Sequence, residues 1–462
     1  IDRSRGLGDV YKRQIQFNKN VFVISGKTET YFENLGNDKV KESNFIKKKK
    51  NSRVNVYKNT WRVDTYLSNF FSINIARSTK HYDKELIQKV FTQNHVNASI
   101  FELALIISFL GIGFFRDISW LNIPAGASIF LLFTLLIMLF SVLYSWFKGW
   151  TLTFLILAVV SFNFLTNRFQ LFQFRNYAYG LNYDLKPKYD HENISELQQD
   201  KLKVENSIKE NIEILTHWSQ KNKGINKPKM VFINTSGGGL RSALWTVHVL
   251  SFLDSITNQQ LIKQTHLITG ASGGMIGAAF YRENYKKGIY GETMVNGNEM
   301  KSRISKDLLN PLAFSIATTD MFYRFKKHDD GKYIYTKDRG WFFEKNLIEN
   351  LNCFEGKRIL DYKLPEYHSD IPMMIFSPSV VNDGRRLLIS PQKITFLCST
   401  DTSLFSEKIA LENIEFSTLF NKNDPQHLKI SSAMRMNATF PYILPMVFLP
   451  SEPKIEVMDA GL

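Results

Sequence analysis

Two strand-like segments of the sequence each run into glycines and then into a predicted helix. Residues 230–234 (MVFIN) form a continuous apolar run of strand length, and residues 235–242 (TSGGGLRS) follow at once. An uninterrupted apolar strand is typical of a parallel sheet that is covered on both faces. Apolar residues at helical spacing then occupy residues 244–253. This order predicts an α/β fold with a largely parallel central sheet.

The second segment repeats the same order further along the chain. Residues 266–269 (HLIT) read as a short strand, and GASGG at 270–274 leads into a predicted helix. Gly270 and Gly274 flank Ser272 in a G-x-S-x-G pattern, and strand–turn–helix is the context of a nucleophile elbow. The pattern alone arises by chance about once in seven chains of this length at average residue usage. The glycine-rich segment upstream strengthens the interpretation of this pattern as a nucleophile elbow.

The glycines at positions 237, 238 and 239 are candidates for binding an anion. Consecutive glycines before a helix leave backbone N–H groups free to point at a negative charge, and the helix N-terminus adds positive potential. A plain turn needs one glycine rather than three. A phosphate-binding loop needs the spacing G-x-x-x-x-G-K-[ST], which this segment lacks.

Taken together, these residues resemble the patatin-like phospholipase family over residues 229–462. In that family a G-G-G-x-[RK] loop forms the oxyanion hole, which corresponds here to Gly237, Gly238 and Gly239, with Arg241 as the supporting basic residue. The family's G-x-S-x-G elbow carries the nucleophile, which corresponds here to Ser272.

The resemblance also implies a catalytic aspartate close to the end of the chain. The family places it in a D-G-[GA] motif after a strand, and here residues 455–458 read as a strand before Asp459 and Gly461. Residues 431–441 resemble the family's segment that precedes this aspartate. The implied catalytic pair is therefore Ser272 and Asp459, without histidine.

Three positions depart from the family pattern. Ser236 stands where aspartate is usual before the glycines, Ser242 replaces the glycine after the basic residue, and Ala460 replaces the first glycine after the aspartate. The first two concern the geometry of the loop, and alanine beside the carboxylate is a mild change. No atom that the chemistry needs is lost.

The resemblance implies a patatin-like three-layer fold and a membrane-anchored lipid acyl hydrolase of phospholipase A or lysophospholipase type. Its partners would be the lipid bilayer and a membrane phospholipid or lysophospholipid substrate, and it needs no cofactor. Two alternatives stay open. One is an α/β-hydrolase with a Ser–Asp–His triad, in which His328, His368 or His427 would be the base. The other is a membrane scaffold with an inactive hydrolase domain.

The part of the chain before this domain contains three apolar runs, at about 100–115, 125–147 and 149–165. A membrane span needs about 20 residues, so the second run qualifies outright and the others are at the short limit. Tryptophans at the ends of the runs suit an interfacial aromatic belt. We therefore expect about three transmembrane helices. The flanking basic residues are balanced and predict no orientation, while similarity to membrane-anchored bacterial members implies the inner membrane and a cytoplasmic catalytic domain.

Charge and composition limit the other possibilities. The 462-residue chain carries 58 basic and 43 acidic residues, a net charge of +15. No zinc-finger or RNA-binding signature accompanies this charge, so we expect anionic lipid rather than nucleic acid as the partner. The two cysteines, Cys353 and Cys398, exclude a disulfide-stapled scaffold and a four-cysteine zinc site. The nine histidines show no metal-binding spacing. The oligomeric state stays open.

The predicted organisation has five parts. They are an adaptor-like, non-native stretch at 1–14, a polar segment at 15–98, the transmembrane region at 99–166, an amphipathic helical connector at 167–228, and the catalytic domain at 229–462. We expect both natural ends of the chain to lie outside this sequence, because it has no initial methionine and stops directly after a strand.

Overall fold

A computed structural model describes residues 65–67, 72–75, 84–115, 123–169, 176–198, 200–320, 326–398, 412–440 and 442–460. The adaptor-like stretch and most of the polar segment lie outside the described residues, and so does Gly461.

Helices fill much of the described chain. They are α1 (Lys84–Gly113), α2 (Ala125–Phe147), α3 (Thr151–Phe169), α4 (His191–Gln198), α5 (Lys201–Lys221), α6 (Gly239–Ile256), α7 (Gln260–Gln264), α8 (Ser272–Ile289), α9 (Gly297–Ile304), α10 (Asn310–Ser315), α11 (Arg339–Leu351), α12 (Lys363–Tyr367), α13 (Phe416–Leu419) and α14 (Ile430–Met436). Short 3-10 turns occur at Lys148–Trp150, Ile359–Tyr362, Thr395–Leu397 and Pro425–His427, and a π-helical turn occurs at Ile316–Asp320.

The strands are short. They are β1 (Thr65–Leu67), β2 (Ile73–Ile75), β3 (Val231–Thr235), β4 (Thr265–Gly270), β5 (Lys327–Asp329), β6 (Ile334–Thr336), β7 (Met373–Phe376), β8 (Ser379–Val380), β9 (Arg386–Leu388), β10 (Asn413–Glu415), β11 (Val447–Leu449) and β12 (Ile455–Met458).

A parallel sheet carries the two glycine-rich segments. Strands β3, β4 and β7 pair in that order and run in the same direction. Their last residues are in register, because Thr235 pairs with Gly270 and Gly270 pairs with Phe376. The glycine loop and the candidate nucleophile therefore leave the sheet at the same edge. An α/β fold with a parallel central sheet agrees with the sequence-based prediction.

A second, mixed sheet carries the strand that precedes Asp459. Its order is β10-β9-β8-β12-β11, in which β10 and β9 are parallel and the other pairs are antiparallel. Backbone hydrogen bonds between Phe376 and Ile389, 3.0 and 2.8 Å long, join it to β7. The strand at 455–458 was expected from the sequence, whereas the sheet that it joins was not.

The segment that leads into the catalytic domain belongs to its core. Ala178 and Leu181 are buried in the main apolar cluster, and Tyr179 between them is buried as well, although the sequence-based boundaries put all three in the connector. Helix α5 also packs on the domain, since Ile214 lies in a second apolar cluster with Met373. The helical connector is interrupted before α5, where the Asp200 side chain accepts hydrogen bonds from two backbone N–H groups.

Two helices in the described part of the chain are long and apolar enough to cross a membrane, by length and composition alone. They cover Lys89–Gly113 and Ala125–Phe147, and a third apolar helical stretch, Thr151–Leu165, is shorter. The described residues divide into two compact units, one made of those up to residue 106 together with 138–155, and the other of those at 107–137 together with those from 156 onward. Within the first unit the Trp146 indole N–H donates to the Ser99 hydroxyl over 2.9 Å, which ties α2 to α1.

Candidate active site

Ser272 occupies a strained turn between β4 and α8. It is the first residue of α8, its φ is +51°, and it is 8% exposed. A left-handed conformation costs a non-glycine residue about 1–2 kcal/mol, so other contacts have to hold it. The Ser272 N–H donates to the Asn437 carbonyl over 2.9 Å, and the Ala271 N–H donates to the Thr235 carbonyl over 3.0 Å. This is the geometry of a nucleophile elbow.

The flanking glycines permit this turn because there is no room for a larger residue. Gly270 has a φ of +153°, and a Cβ there would collide with Thr235. A Cβ on Gly274 would collide with the carbonyl oxygen of Ser236. Substituting either glycine would push the elbow away from the segment that precedes the glycine loop.

The glycine loop lies directly against the candidate nucleophile. A Cβ placed on Gly237 would be 3.3 Å from the Ser272 Cβ. Gly238 has a φ of +135° and precedes α6, and Gly239 has a φ of +61° and begins it. The structure therefore brings the three glycines and Ser272 together at the N-terminal ends of α6 and α8.

The loop is closed by Ser242, one of the departures from the family pattern. Its hydroxyl donates to the Ser236 carbonyl over 2.6 Å, which joins the residue before the glycines to the first turn of α6. Arg241 is exposed in that turn, and its side chain makes no hydrogen bond or ion pair within the described residues. Support of the loop by Arg241 stays a prediction.

Asp459 follows β12 immediately and is 9% exposed. Its N–H donates to the Thr439 carbonyl over 2.9 Å. The Ser272 N–H donates to the same segment, because its acceptor, the Asn437 carbonyl, lies two residues before Thr439. The backbones of both candidate catalytic residues are thus fixed to one three-residue segment after α14. The Ser272 hydroxyl itself makes no hydrogen bond to any residue in the described ranges.

A buried ion pair holds α14 in place. Arg435 is fully buried, and its Nε donates to Glu344 Oε1 on α11 over 2.7 Å. The hydroxyls of Ser431 and Ser432 donate to the same carboxylate, over 2.6 and 2.8 Å. Removing one member of a buried pair leaves an uncompensated charge and costs about 3–5 kcal/mol. The segment that carries Asn437 is therefore anchored independently of the elbow.

The three histidines of the alternative triad make their contacts elsewhere. His328 packs against Tyr179 and Trp341, and burial, followed by the charge of Lys429, lowers its pKa. The ring of His368 lies 5.4 Å from that of His217.

His427 ends a 3-10 turn, and its carbonyl accepts from the guanidinium of Arg358. Across the described part of the chain, no histidine hydrogen-bonds the Ser272 hydroxyl.

No cluster of three or more histidine, cysteine, aspartate or glutamate side chains with metal-binding geometry occurs among the described residues. Both cysteines are free and buried, and burial raises the pKa of each thiol well above its usual value. Neither thiol is poised as a nucleophile, because the thiolate is the reactive form.

Two contributors to the site were not assigned roles from the sequence. Asn437 lies in the segment noted for its resemblance, but nothing in its neighbours indicates that it contacts the elbow. Glu344 lies in an amphipathic helix and gives no signal of its own, because its partner Arg435 is 91 residues away. Only the three-dimensional fold brings either residue to the site.

Comparison with known proteins identifies the domain. A family model described as patatin-like phospholipase matches residues 235–462. The match begins at the last residue of β3 and includes the glycine loop, the elbow and Asp459. Searches of curated proteins and of solved structures give no match.

Proposed function

We propose that the protein is a membrane-anchored lipid acyl hydrolase, because residues 235–462 of this chain belong to the patatin-like phospholipase family. Patatin-like phospholipases are lipid acyl hydrolases, so lipid is the substrate class. The finer assignment, a phospholipase A or lysophospholipase with a Ser272–Asp459 dyad, is our own. It rests on the arrangement of the elbow, the glycine loop and the strand end that carries Asp459.

One observation carries this assignment. The N–H groups of Ser272 and Asp459 are bound to carbonyls two residues apart, at Asn437 and Thr439. These bonds fix the backbones of two residues that are far apart in sequence to the same short segment. Catalytic hydrogen bonds are often long or poorly aligned in a free enzyme and tighten when substrate binds. We propose that this holds for the Ser272 hydroxyl and the Asp459 carboxylate.

The proposed reaction has two halves. Ser272 Oγ attacks the ester carbonyl carbon while its proton passes to the Asp459 carboxylate. The resulting oxyanion accepts hydrogen bonds from N–H groups of the Gly237–Gly239 loop, each worth about 3–4 kcal/mol in comparable sites. Collapse breaks the ester bond, and the alcohol leaves with the proton from Asp459. Water then attacks the acyl-serine in the same way, which releases the fatty acid and restores the Ser272 hydroxyl.

The placement of the histidines supports a dyad over a triad. A triad requires a histidine nitrogen within hydrogen-bond reach of the nucleophile and an acid that orients the ring. His328 and His368 are instead engaged with aromatic neighbours. The alternative of an inactive scaffold is disfavoured because the serine, the glycine loop and the aspartate are all present.

Contacts at the ends of the apolar helices support membrane anchoring. The Ala125 N–H at the start of α2 donates to the Asn310 side chain over 2.7 Å. Just beyond the end of α1, the Phe114 ring lies 4.9 Å from the Lys326 ammonium. In a three-pass arrangement the end of α1, the start of α2 and the end of α3 lie on one face of the bilayer. The first two of these ends contact the catalytic domain, and the first core segment of that domain, at 178–181, comes after α3 in the chain.

We therefore propose that the active domain sits against the membrane on that face, where it meets lipid in the plane of the bilayer. In a bacterial cell this would be the cytoplasmic side of the inner membrane. The net charge of +15 favours anionic phospholipid, by about 1 kcal/mol for each well-placed lysine or arginine at low salt.

The test uses the full chain and phospholipid vesicles. Wild-type protein should release fatty acid, and Ser272→Ala should retain less than about a thousandth of the rate, since loss of a nucleophile costs far more than that. Ser251→Ala, which removes a hydroxyl from α6, is the matched control and should keep its activity. Fatty-acid release that persists in Ser272→Ala would remove Ser272 from the mechanism.

A second comparison tests the anchor. A shortened protein that begins at residue 170 keeps the core segment around Tyr179 and lacks α1 to α3. It should hydrolyse a soluble ester as the full chain does and should hydrolyse vesicle lipid more slowly. Equal vesicle rates would contradict anchoring, and hydrolysis of soluble esters alone by both proteins would contradict the lipid substrate.

A further inference from the structure

Asn437 makes a set of contacts at the elbow that the proposed reaction has not used. Asn437 follows α14 directly, and its side chain is fully buried. Its backbone N–H donates to the Ala433 carbonyl over 3.1 Å, which closes the last turn of α14. Buried amides in proteins are hydrogen-bonded, and the partners of this one identify what it holds.

The amide of Asn437 joins the ends of two neighbouring strands. Its Nδ2 donates to the Gly270 carbonyl, the last residue of β4, over 3.1 Å. Its Oδ1 accepts from the N–H of Ser377, the residue after β7, over 3.0 Å. The side chain therefore spans the edge of the parallel sheet at which the elbow is built.

The main chain of Asn437 holds the other side of the same turn. Its carbonyl accepts the Ser272 N–H over 2.9 Å, so one residue contacts the chain both before and at the candidate nucleophile. Ser272 is the residue with the left-handed backbone, which costs free energy and persists only where surrounding contacts hold it. Asn437 supplies contacts on both sides of that strained residue.

The same segment continues to the candidate base. Two residues after Asn437, the Thr439 carbonyl accepts the Asp459 N–H over 2.9 Å. A displacement of Asn437 would change the position of Ser272 relative to Asp459 without touching either side chain.

We infer that Asn437 is a positioning residue, which fixes the elbow serine at its working distance from Asp459; this inference rests on the proposed function. A positioning residue acts on the chemical step. Misplacing reacting groups by about 1 Å can cost about 100-fold in rate, while the binding of the acyl chain elsewhere is unaffected. Its loss should therefore lower kcat with little change in KM.

The test compares two variants of Asn437 with a matched control. Asn437→Asp is nearly isosteric, keeps the acceptor for Ser377 and replaces the donor to Gly270 with an oxygen. Asn437→Ala removes both bonds. The control is Asn423→Ala, because Asn423 is also fully buried and its Nδ2 donates to the carbonyls of Asn182 and Leu185, both over 2.8 Å, away from the elbow.

Each full-length variant is assayed for kcat and KM with a soluble ester, for the rate of Ser272 labelling by a fluorophosphonate, and for Tm. Both Asn437 variants should lose about 100-fold in kcat and in labelling rate, with KM within about threefold of wild type. Asn423→Ala should lose Tm to a similar degree and keep kcat within about threefold.

Equal kcat losses in the Asn423 and Asn437 variants would reduce Asn437 to a structural role and overturn the inference. A wild-type kcat and labelling rate in Asn437→Asp would also overturn the inference. If Asn437→Ala does not fold, Asn437→Asp alone tests the positioning role. Failure of the wild-type protein to hydrolyse esters or to be labelled is a different result, which contradicts the proposed function itself.

Discussion

The left-handed backbone of Ser272 should make glycine the more stable replacement at that position. Ser272→Ala keeps a Cβ at a φ of +51°, whereas Ser272→Gly removes it. Relief of the left-handed conformation contributes about 1–2 kcal/mol, and the greater freedom of glycine in the unfolded chain offsets about 0.5–1 kcal/mol. Ser272→Gly should therefore exceed Ser272→Ala in unfolding free energy by about 0.5–1 kcal/mol.

Both variants lack the hydroxyl, so activity does not distinguish them and a stability assay does. For a domain of this size, 1 kcal/mol corresponds to about 2–4 °C in Tm. We expect the glycine variant to melt about 1–4 °C above the alanine variant in paired thermal scans.

Position 216 supplies the control, because Thr216 is exposed inside α5. There Thr216→Gly should be less stable than Thr216→Ala by about 1 kcal/mol, since glycine is unfavourable within a helix. If glycine is also the less stable replacement at position 272, Ser272 is not in a strained elbow, and the assignment of the turn fails.

The other predictions concern the loop, the base and the pH dependence of stability. Ser242→Ala removes the 2.6 Å hydrogen bond to the Ser236 carbonyl, worth about 1 kcal/mol, and should lower kcat by about fivefold; an unchanged kcat would show that this bond does not shape the loop. Alanine at any one of the three candidate triad histidines should cost less than about tenfold in kcat, and a loss of 100-fold or more would replace the dyad with a triad. Burial lowers the pKa of His266 in the folded protein below its usual 6.5, so the unfolded chain binds the extra proton first and stability is lost as pH falls below that value. When the pH is lowered from about 7.5 to about 5.5, Tm should therefore fall further for the wild-type protein than for His266→Gln. Equal falls in Tm would contradict the lowered pKa of His266.

The local parts of the site could be predicted from the sequence. Gly237–Gly239 and Ser272 lie in short continuous patterns, each directly after a strand-like run. The same reasoning predicted that Asp459 follows a strand. In each case the determining residues are neighbours in the chain, so composition and spacing carry the information.

The parts that depend on distant partners could not be predicted. Asn437 contacts Gly270 across 167 positions, and nothing near either residue indicates the other. Apart from β12, the mixed sheet was not predicted, because strands of two to four residues, such as β8, are too short to show a period. Residues around Tyr179 have no regular pattern, yet they pack into the core through contacts with α14.

Intact-mass and peptide analysis after fluorophosphonate treatment of the full chain tests the Ser272–Asp459 dyad most directly. Wild-type protein should gain a single adduct on Ser272, and Ser272→Ala should gain none. Asp459→Asn keeps the shape of the side chain and removes the base, so it should form the adduct at least about 100-fold more slowly. An adduct on another residue, or labelling of Asp459→Asn at the wild-type rate, would contradict the Ser272–Asp459 dyad.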